Sequence, residues 1–245
     1  MSPTIRDVAP LEQAAVEAGR LPPRYGGQMQ SELMDRLTPL LEPGVAILDV
    51  GSGRGPTLAP EDRPPGCHYV GLDVSEDELR AADRDAYDET IVHDIARRLP
   101  VDAQFDLVIS WQVLEHVRPL DAALESLRHA LRPGGTLLAQ LSGSFASFAL
   151  ASRLMPHRLR VLAMSKLLGH RVEEKFPTHY DRCYHRALER MLEPWSSATV
   201  IPFYRGATYL SFFRPFQRVY LGYESLAARR GMLDLATHYL VVARR

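Results

Sequence analysis

The chain has 245 residues with a net charge of −1 at pH 7, and 46% of the residues are hydrophobic and 24% charged. This composition is typical of a globular protein with a sizeable core and excludes fibrous, repeat and low-complexity architectures. No apolar stretch follows the first ten residues or reaches the roughly 18 to 20 residues of a spanning helix, so we expect neither a secretory leader nor a transmembrane segment.

The amino-terminal region predicts two helices, over residues 10–18 and 28–41, with a break rich in Gly and Pro between them. A Pro-Gly pair ends the second helix. The next six residues, VAILDV at 45–50, are apolar except for Asp49, which is typical of a strand buried on both faces of a parallel sheet.

Short apolar runs then alternate with helical patterns over residues 75–84, 119–131 and 180–192. The first of these helices opens on Ser75, followed three residues later by Glu78, which is a capping box. Strands that alternate with helices predict an α/β fold with a doubly wound, mostly parallel sheet of seven strands. After 45–50, the predicted strands cover residues 68–72, 90–93, 105–110, 136–141, 199–204 and 238–243.

Two longer stretches interrupt this alternation and are interpreted as helical insertions. We therefore predict a single domain, residues 1–245, in which the second insertion lies at about 205–237. Its parts are N-terminal helices at 1–44, a core at 45–141, a first insertion at 142–178 and the C-terminal part of the sheet at 179–245.

The segment GSGRG at residues 51–55 follows the first predicted strand, where glycines allow a sharp turn and let a ligand approach the backbone amides. A glycine turn alone is a weak indicator of function. Pro56 stands three residues after Gly53, where the dinucleotide fingerprint needs its third glycine, and no Gly-Lys-Ser/Thr of a Walker loop follows. Both of those nucleotide-binding motifs are therefore disfavoured.

Two carboxylates follow the next two predicted strands. Asp73 stands twenty residues beyond Gly53, where a carboxylate can accept hydrogen bonds from both hydroxyls of a ribose. Asp94 ends the third strand, where it can meet an adenine amino group. Together with Asp49, these residues place an acid at three strand ends, a pattern more specific than the glycine turn alone.

With these features the chain resembles the class I S-adenosylmethionine-dependent methyltransferases over residues 45–141. The glycine loop, Asp73 and Asp94 match in order and spacing. So do FDLVISWQVLEHV at 105–117 and LRPGG at 131–135, which look most like the branch that methylates small molecules and quinone precursors. The resemblance implies the Rossmann-like methyltransferase fold and S-adenosyl-L-methionine as cofactor. One departure is a proline-rich stretch after the glycine loop, which predicts a short or irregular helix there.

The resemblance also implies roles for individual residues. It places the glycine loop against the amino-acid part of the cofactor, Asp94 with Ile95 around the adenine, and Trp111 with Gln112 beside the methionine portion. For Asp49 two roles stay open, which are orienting the loop through backbone amides and contacting the ammonium group of the cofactor. The expected cofactor-binding residues are Asp49, Gly51, Ser52, Gly53, Asp73, Val74, Asp94, Ile95, Trp111 and Gln112.

His116 is the candidate catalytic base. The sulfonium of the cofactor already activates the methyl group, so alignment of donor and acceptor supplies much of the catalysis. A hydroxyl acceptor must also lose its proton, and histidine is the side chain that ordinarily exchanges protons near neutral pH. The alternative is that His116 packs against, or caps, the loop that follows it.

The two halves of the chain carry opposite charge. Residues 1–141 contain 13 Lys and Arg against 23 Asp and Glu, a net charge of −10, whereas residues 142–245 contain 16 against 7, a net charge of +9. Either the halves neutralise each other or the basic half binds an anion. In the second case we expect an acceptor with an apolar body and an anionic group, bound by arginines among Arg153, Arg158, Arg160, Arg205, Arg214 and Arg218.

The predicted function is transfer of a methyl group from S-adenosyl-L-methionine to an O, N or C atom of a small organic or lipid-like acceptor. A catalytically silent cofactor-binding protein, a peripheral membrane-surface protein and an RNA or protein methyltransferase are the alternatives. A basic amphipathic pattern over residues 209–230 keeps peripheral membrane contact open. The sequence has no motif of base-amine methylation and no nucleic-acid module, so no nucleic-acid partner is expected.

The cysteine content bears on the compartment. Cys67 and Cys183 are too few for a disulfide framework or a four-ligand zinc site. This favours a reducing, cytoplasmic setting and predicts no metal centre.

Overall fold

The computed structural model describes residues 15–26, 29–145, 177–210 and 214–245. Within these ranges seven strands form one sheet, in the order β3-β2-β1-β4-β5-β7-β6. The strands are β1 Ala46–Val50, β2 His68–Asp73, β3 Glu89–Val92, β4 Phe105–Trp111, β5 Leu131–Ser142, β6 Ser197–Phe203 and β7 His238–Arg244.

The first five strands of the chain pair in parallel, and β7 runs antiparallel to both of its neighbours, β5 and β6. Successive residues of β1, such as Ile47 and Leu48, belong to separate buried clusters because successive side chains of a strand point to opposite faces. The predicted doubly wound, mostly parallel seven-stranded fold is confirmed. Parallel strands all end at one edge of the sheet, here called the carboxyl edge, so the loops after β1 to β4 gather there.

Five α-helices with both ends in the described ranges accompany the sheet, and residues 15–17 are helical as well. One half of the capping box predicted for the second of the five is confirmed, since the Ser75 hydroxyl accepts a 3.3 Å hydrogen bond from the amide of Glu78. The Ser75 amide, which the other half of the box assigns to Glu78, donates to Asp73. None of the helices in these ranges combines the length and the apolar character needed to cross a membrane. The helices are α1 Met29–Leu37, α2 Glu76–Arg80, α3 Leu120–Ala130, α4 His185–Met191 and α5 Arg214–Arg229.

Some predicted bounds are wrong. The helix predicted over 180–192 begins only at His185, because Tyr180 and Arg182 adopt the left-handed backbone region at φ of 49° and 55°, which a right-handed helix cannot contain. The fifth strand begins at Leu131 rather than at 136, because Leu131 already pairs with Phe105 of β4. Most of the helix predicted over 10–18 and of the insertion predicted over 142–178 lies outside the described residues.

The stretch after the glycine loop is irregular, as its prolines predict. Residues 51–67, all of them described, contain only a 3-10 turn at Pro60–Asp62. Arg63 fixes this stretch by donating to the carbonyl oxygens of Leu58 and Ala86 at 3.0 and 2.7 Å. Side-chain contacts therefore hold a segment that a helix would otherwise organise.

Candidate active site

The loop after β1 turns through two glycines in the left-handed region, Gly51 with a φ of 69° and Gly53 with a φ of 51°. A Cβ on Gly51 would lie 2.2 Å from a methyl group of Val113, so only glycine fits there. The amides of Gly51 and Ser52 donate to the carbonyl oxygen of Leu72 at 2.6 and 3.3 Å. These bonds tie the loop to the end of β2.

Asp49 is fully buried in β1, and the glycine loop begins two residues after it. Its Oδ2 accepts the Thr57 amide and the Tyr69 hydroxyl, both at 2.7 Å, and its Oδ1 accepts the Thr57 hydroxyl at 2.8 Å. The Tyr69 hydroxyl in turn accepts the Leu58 amide at 3.0 Å. Burial raises the pKa of Asp49 from 3.8 to about 6, although the bonds from Thr57 and Tyr69 favour its ionised form. This arrangement, here called the Asp49 network, engages both carboxylate oxygens with the loop segment and its support.

Asp73 ends β2 beside the glycine loop. A Cβ on Gly53 would lie 3.5 Å from Oδ2 of Asp73, so a ligand that rests on Gly53 also meets this carboxylate. Oδ1 accepts the amide of Ser75 at 2.8 Å, and burial raises the pKa of the group. The next loop residue, Arg54, forms a two-pronged ion pair with Glu78 of α2 at 2.7 and 2.9 Å.

The expected cofactor-binding residues that follow β2 and β3 differ in exposure. Asp94 is exposed two residues after β3, and its Oδ1 accepts the amide of Ala96 at 2.9 Å. Val74 is also exposed, whereas the side chain of Ile95 packs into the hydrophobic core. Asp94 and Val74 are therefore accessible to a ligand at the carboxyl edge, and Ile95 is not accessible through its side chain.

Trp111 and Gln112 lie at the end of β4. Trp111 is half-buried and is the last residue of the strand rather than the first beyond it. Gln112 is exposed and has a φ of 55°. Its amide donates to the carbonyl oxygen of Gln140 at 2.9 Å. Gln140 pairs with Trp111 in register and is fully buried, with Nε2 4.0 Å from Sδ of Met29. In the part of the chain that the structure describes, Oε1 of Gln140 has no partner. Sequence reasoning missed Gln140, although a polar residue inside an otherwise apolar strand was a signal for it.

His116 ends the 3-10 turn Leu114–His116 at the same edge. Its Nδ1 lies 3.2 Å from the carbonyl oxygen of Pro177, and because a carbonyl only accepts, Nδ1 is the donor of this bond. The adjacent Glu115 is buried and accepts the amide of Ser142 at 3.3 Å. Burial raises the pKa of Glu115.

Arg205, one of the arginines expected to bind an anion, is buried. Its Nη2 donates to the carbonyl oxygen of Tyr25 at 2.6 Å, and the guanidinium carbon lies 5.8 Å from the centre of the Tyr25 ring. Burial and this guanidinium lower the pKa of His238 at the start of β7 to about 3. The expected arginines Arg153, Arg158 and Arg160 lie outside the described residues, and Arg214 and Arg218 are exposed on α5.

A second buried polar arrangement, here called the Glu224 cluster, consists of Arg24, Tyr25, Gly206, Ala207 and Glu224. The Tyr25 hydroxyl donates a short bond to Oε2 of Glu224, and the Gly206 amide donates to Oε1 at 2.5 Å. Tyr25 accepts the Ala207 amide at 3.0 Å, and Arg24 lies 3.5 Å from Glu224. Sequence reasoning missed this cluster because its members share no local pattern.

The comparisons with known proteins agree with this geometry. The family model described as a methyltransferase domain matches residues 25–209. The chain belongs to this methyltransferase family. The predicted membership of the class I S-adenosylmethionine-dependent methyltransferases is thereby confirmed, and so is S-adenosyl-L-methionine as the cofactor.

Curated relatives match part of this methyltransferase. It is 31% identical over 115 residues to the ubiquinone biosynthesis O-methyltransferase of Maricaulis maris, a match that covers 44% of this chain and 45% of that protein. It is 35% identical over 102 residues to the malonyl-[acyl-carrier protein] O-methyltransferase of Xylella fastidiosa, covering 40% and 35% of the two chains. The chain thus spans less than half the length of these relatives.

A solved structure shares the fold. Phosphoethanolamine N-methyltransferase 2 of Haemonchus contortus, in complex with phosphomonomethylethanolamine and S-adenosylhomocysteine, superposes with a TM-score of 0.57 at 15% sequence identity. The match covers 98% of this chain and 59% of that protein.

Proposed function

We propose that the protein transfers the methyl group of S-adenosyl-L-methionine to a hydroxyl oxygen of a small organic acceptor. The observation that carries the proposal is a glycine loop that admits no side chain at Gly51, set beside the buried carboxylate of Asp73 at the carboxyl edge. Both curated relatives are named O-methyltransferases, which favours oxygen among the O, N and C acceptors that the sequence leaves open.

The described residues fit the cofactor. The glycine loop would receive its amino-acid part, and Asp73 would accept hydrogen bonds from the ribose hydroxyls, which are donors suited to a carboxylate. Asp94 would accept the adenine amino group, since one of its oxygens has a bond to Ala96 and the other has no partner among the described residues. Both oxygens of Asp49 are used inside the protein, which supports the loop-orienting role for this residue.

The chain contributes alignment and proton removal. S-adenosyl-L-methionine supplies a methyl group activated by the adjacent sulfonium. The bond from Nδ1 of His116 to the carbonyl oxygen of Pro177 fixes the tautomer, so Nε2 is the nitrogen that takes the acceptor proton. Trp111 ends β4 at the same edge of the sheet, where it would orient the acceptor.

We further propose an acceptor with an apolar body and an anionic group, used by a cytoplasmic enzyme. The net charge of +9 on residues 142–245 supports the anionic group. Arg205 holds Tyr25, so among the described candidates Arg214 and Arg218 remain for this role. The competing account is that these two arginines bind anionic lipid and never meet the acceptor. Cys67 and Cys183 are not joined in a disulfide, which supports the reducing compartment.

The test combines a screen of candidate acceptors with isotopically labelled cofactor and the substitution His116→Ala. We expect labelled methyl ethers or esters in the mass spectra, and a rate about 100-fold lower in the variant with unchanged cofactor affinity. His68→Ala, which removes an exposed histidine from the start of β2, is the matched control. Near-normal turnover of the His116 variant would assign that residue to packing, and a chain that binds cofactor yet labels no acceptor would favour the catalytically silent alternative.

A further inference from the structure

Helix α5 exposes an apolar stripe. Phe216, Val219, Tyr223 and Leu226 are exposed, Val219 to 71%, and their spacing of three and four residues places them on one side of the helix. Met232 and Leu233, just beyond the helix, continue the exposed apolar surface. Six of the eight large hydrophobic residues exposed in the described ranges thus lie within residues 216–233.

The same segment is strongly basic at its surface. Arg214, Arg218, Arg229 and Arg230 are all exposed. The one acid of residues 214–230 is Glu224, which is buried and bonded to Tyr25 and Gly206. The surface of this segment therefore offers four cations and no anion.

We propose that α5 docks on an anionic lipid bilayer, with its axis in the plane of the surface. The apolar stripe enters the boundary between headgroups and acyl chains, and the arginines bind the headgroup phosphates. A second copy of the chain fits this surface less well. A two-fold contact through α5 would bring its exposed arginines face to face with their equivalents, and α5 has no exposed carboxylate to pair with them.

The position of α5 in the fold gives the docking a consequence. The helix lies in the connection from β6 to β7, which leaves the sheet at Phe203 and returns at His238, two residues paired at the carboxyl edge. Through Glu224, α5 is also fastened to Tyr25. A docked α5 would thus hold the carboxyl edge near the bilayer, so that an acceptor dissolved in the membrane reaches the site. This last step rests on the proposed function, whereas the docking does not.

Flotation of the full chain with lipid vesicles tests the docking, without cofactor or acceptor. We expect flotation with vesicles that contain phosphatidylglycerol, weakened by added salt, and little with pure phosphatidylcholine. The double substitution Val219→Asp, Leu226→Asp should weaken binding at least about tenfold, because two apolar anchors become charged. Arg218→Gln and Arg230→Gln should each weaken it roughly fivefold. Val92→Asp, the same change at an exposed site on β3, is the matched control.

Three outcomes would overturn the proposal. The first is no flotation of the native chain with anionic vesicles. The second is flotation that the α5 variants leave unchanged while circular dichroism shows them folded. The third is a dimer, seen by light scattering, that Val219→Asp dissolves in a chain that does not bind vesicles, since the stripe would then be an interface between copies.

Discussion

The Asp49 network and the Glu224 cluster differ in how far apart their members lie along the chain. The Asp49 network joins residues within 49–69, whereas the Glu224 cluster joins Tyr25 to a residue 199 positions away. The first shapes the loop that we propose as the cofactor site, and the second fastens the amino-terminal segment and α5 to the connection that follows β6. The glycine loop is thus supported by residues close to it in the chain, whereas the amino-terminal segment and α5 are held by contacts between residues far apart in the chain.

The largest effect should come from Glu224→Ala. The substitution leaves the Tyr25 hydroxyl and the Gly206 amide without their buried acceptor, so we expect the free energy of unfolding to fall by about 3 to 5 kcal/mol. Urea unfolding measures it. If the two arrangements are separate, the affinity for the cofactor, measured where the variant is still folded, should change little.

Glu193→Ala, which removes an exposed glutamate, is the control for Glu224→Ala. We expect it to change the free energy of unfolding by less than about 0.5 kcal/mol. Equal losses in the two variants would show that the Glu224 cluster contributes nothing beyond an ordinary surface residue.

A pH titration should give the next largest effect, and it concerns the Asp49 network. Because burial raises the pKa of Asp49 from 3.8 to about 6, the folded protein binds this proton more tightly than the unfolded chain does. The contribution of Asp49 to stability is therefore fully present below about pH 4 and is lost as the pH rises through about 6. A shift of this size corresponds to up to about 3 kcal/mol.

Asp49→Asn isolates that titration, because asparagine does not ionise. The stability of the native protein relative to this variant should fall between about pH 4 and pH 6 and then level off. A difference between the two proteins that stays constant with pH would contradict the raised pKa of Asp49.

The sequence predicted the sheet well for a physical reason. Strand and turn patterns are local, and the glycine loop with Asp73 lies within one β-loop-β unit. It failed at His185, where the left-handed backbone of Arg182 delays the helix, since no local pattern announced that conformation. The sequence also suggested Arg205 as a residue that binds the substrate, because only the fold shows that its guanidinium donates to the carbonyl oxygen of Tyr25.

The third largest effect, from Asp73→Ala, should fall mainly on cofactor affinity, whereas Glu224→Ala should act mainly on stability. Asp73→Ala removes the carboxylate expected to accept two ribose hydroxyls, and charge-assisted hydrogen bonds contribute about 1.5 to 3 kcal/mol each. Calorimetry should show S-adenosylmethionine and S-adenosylhomocysteine bound at least tenfold more weakly, while the free energy of unfolding falls by about 1 kcal/mol for the lost bond to the Ser75 amide. Asp77→Ala, at an exposed acid of α2, should leave affinity unaltered. Native affinity in the Asp73 variant would refute the ribose assignment.

The smallest effect, from Tyr69→Phe, should lower both the stability of the fold and the affinity for the cofactor. The change removes one hydroxyl that donates to Asp49 and accepts from Leu58, but keeps a ring that lies 3.7 Å from the guanidinium carbon of Arg63. We expect a loss of about 1 kcal/mol in unfolding and a severalfold weaker affinity for S-adenosylmethionine, because the loop segment loses its support. Tyr239→Phe, which removes a 2.9 Å bond to the carbonyl oxygen of Leu233, should cost similar stability with no change in affinity. If both variants weaken cofactor binding alike, the Asp49 network does not hold the loop specifically.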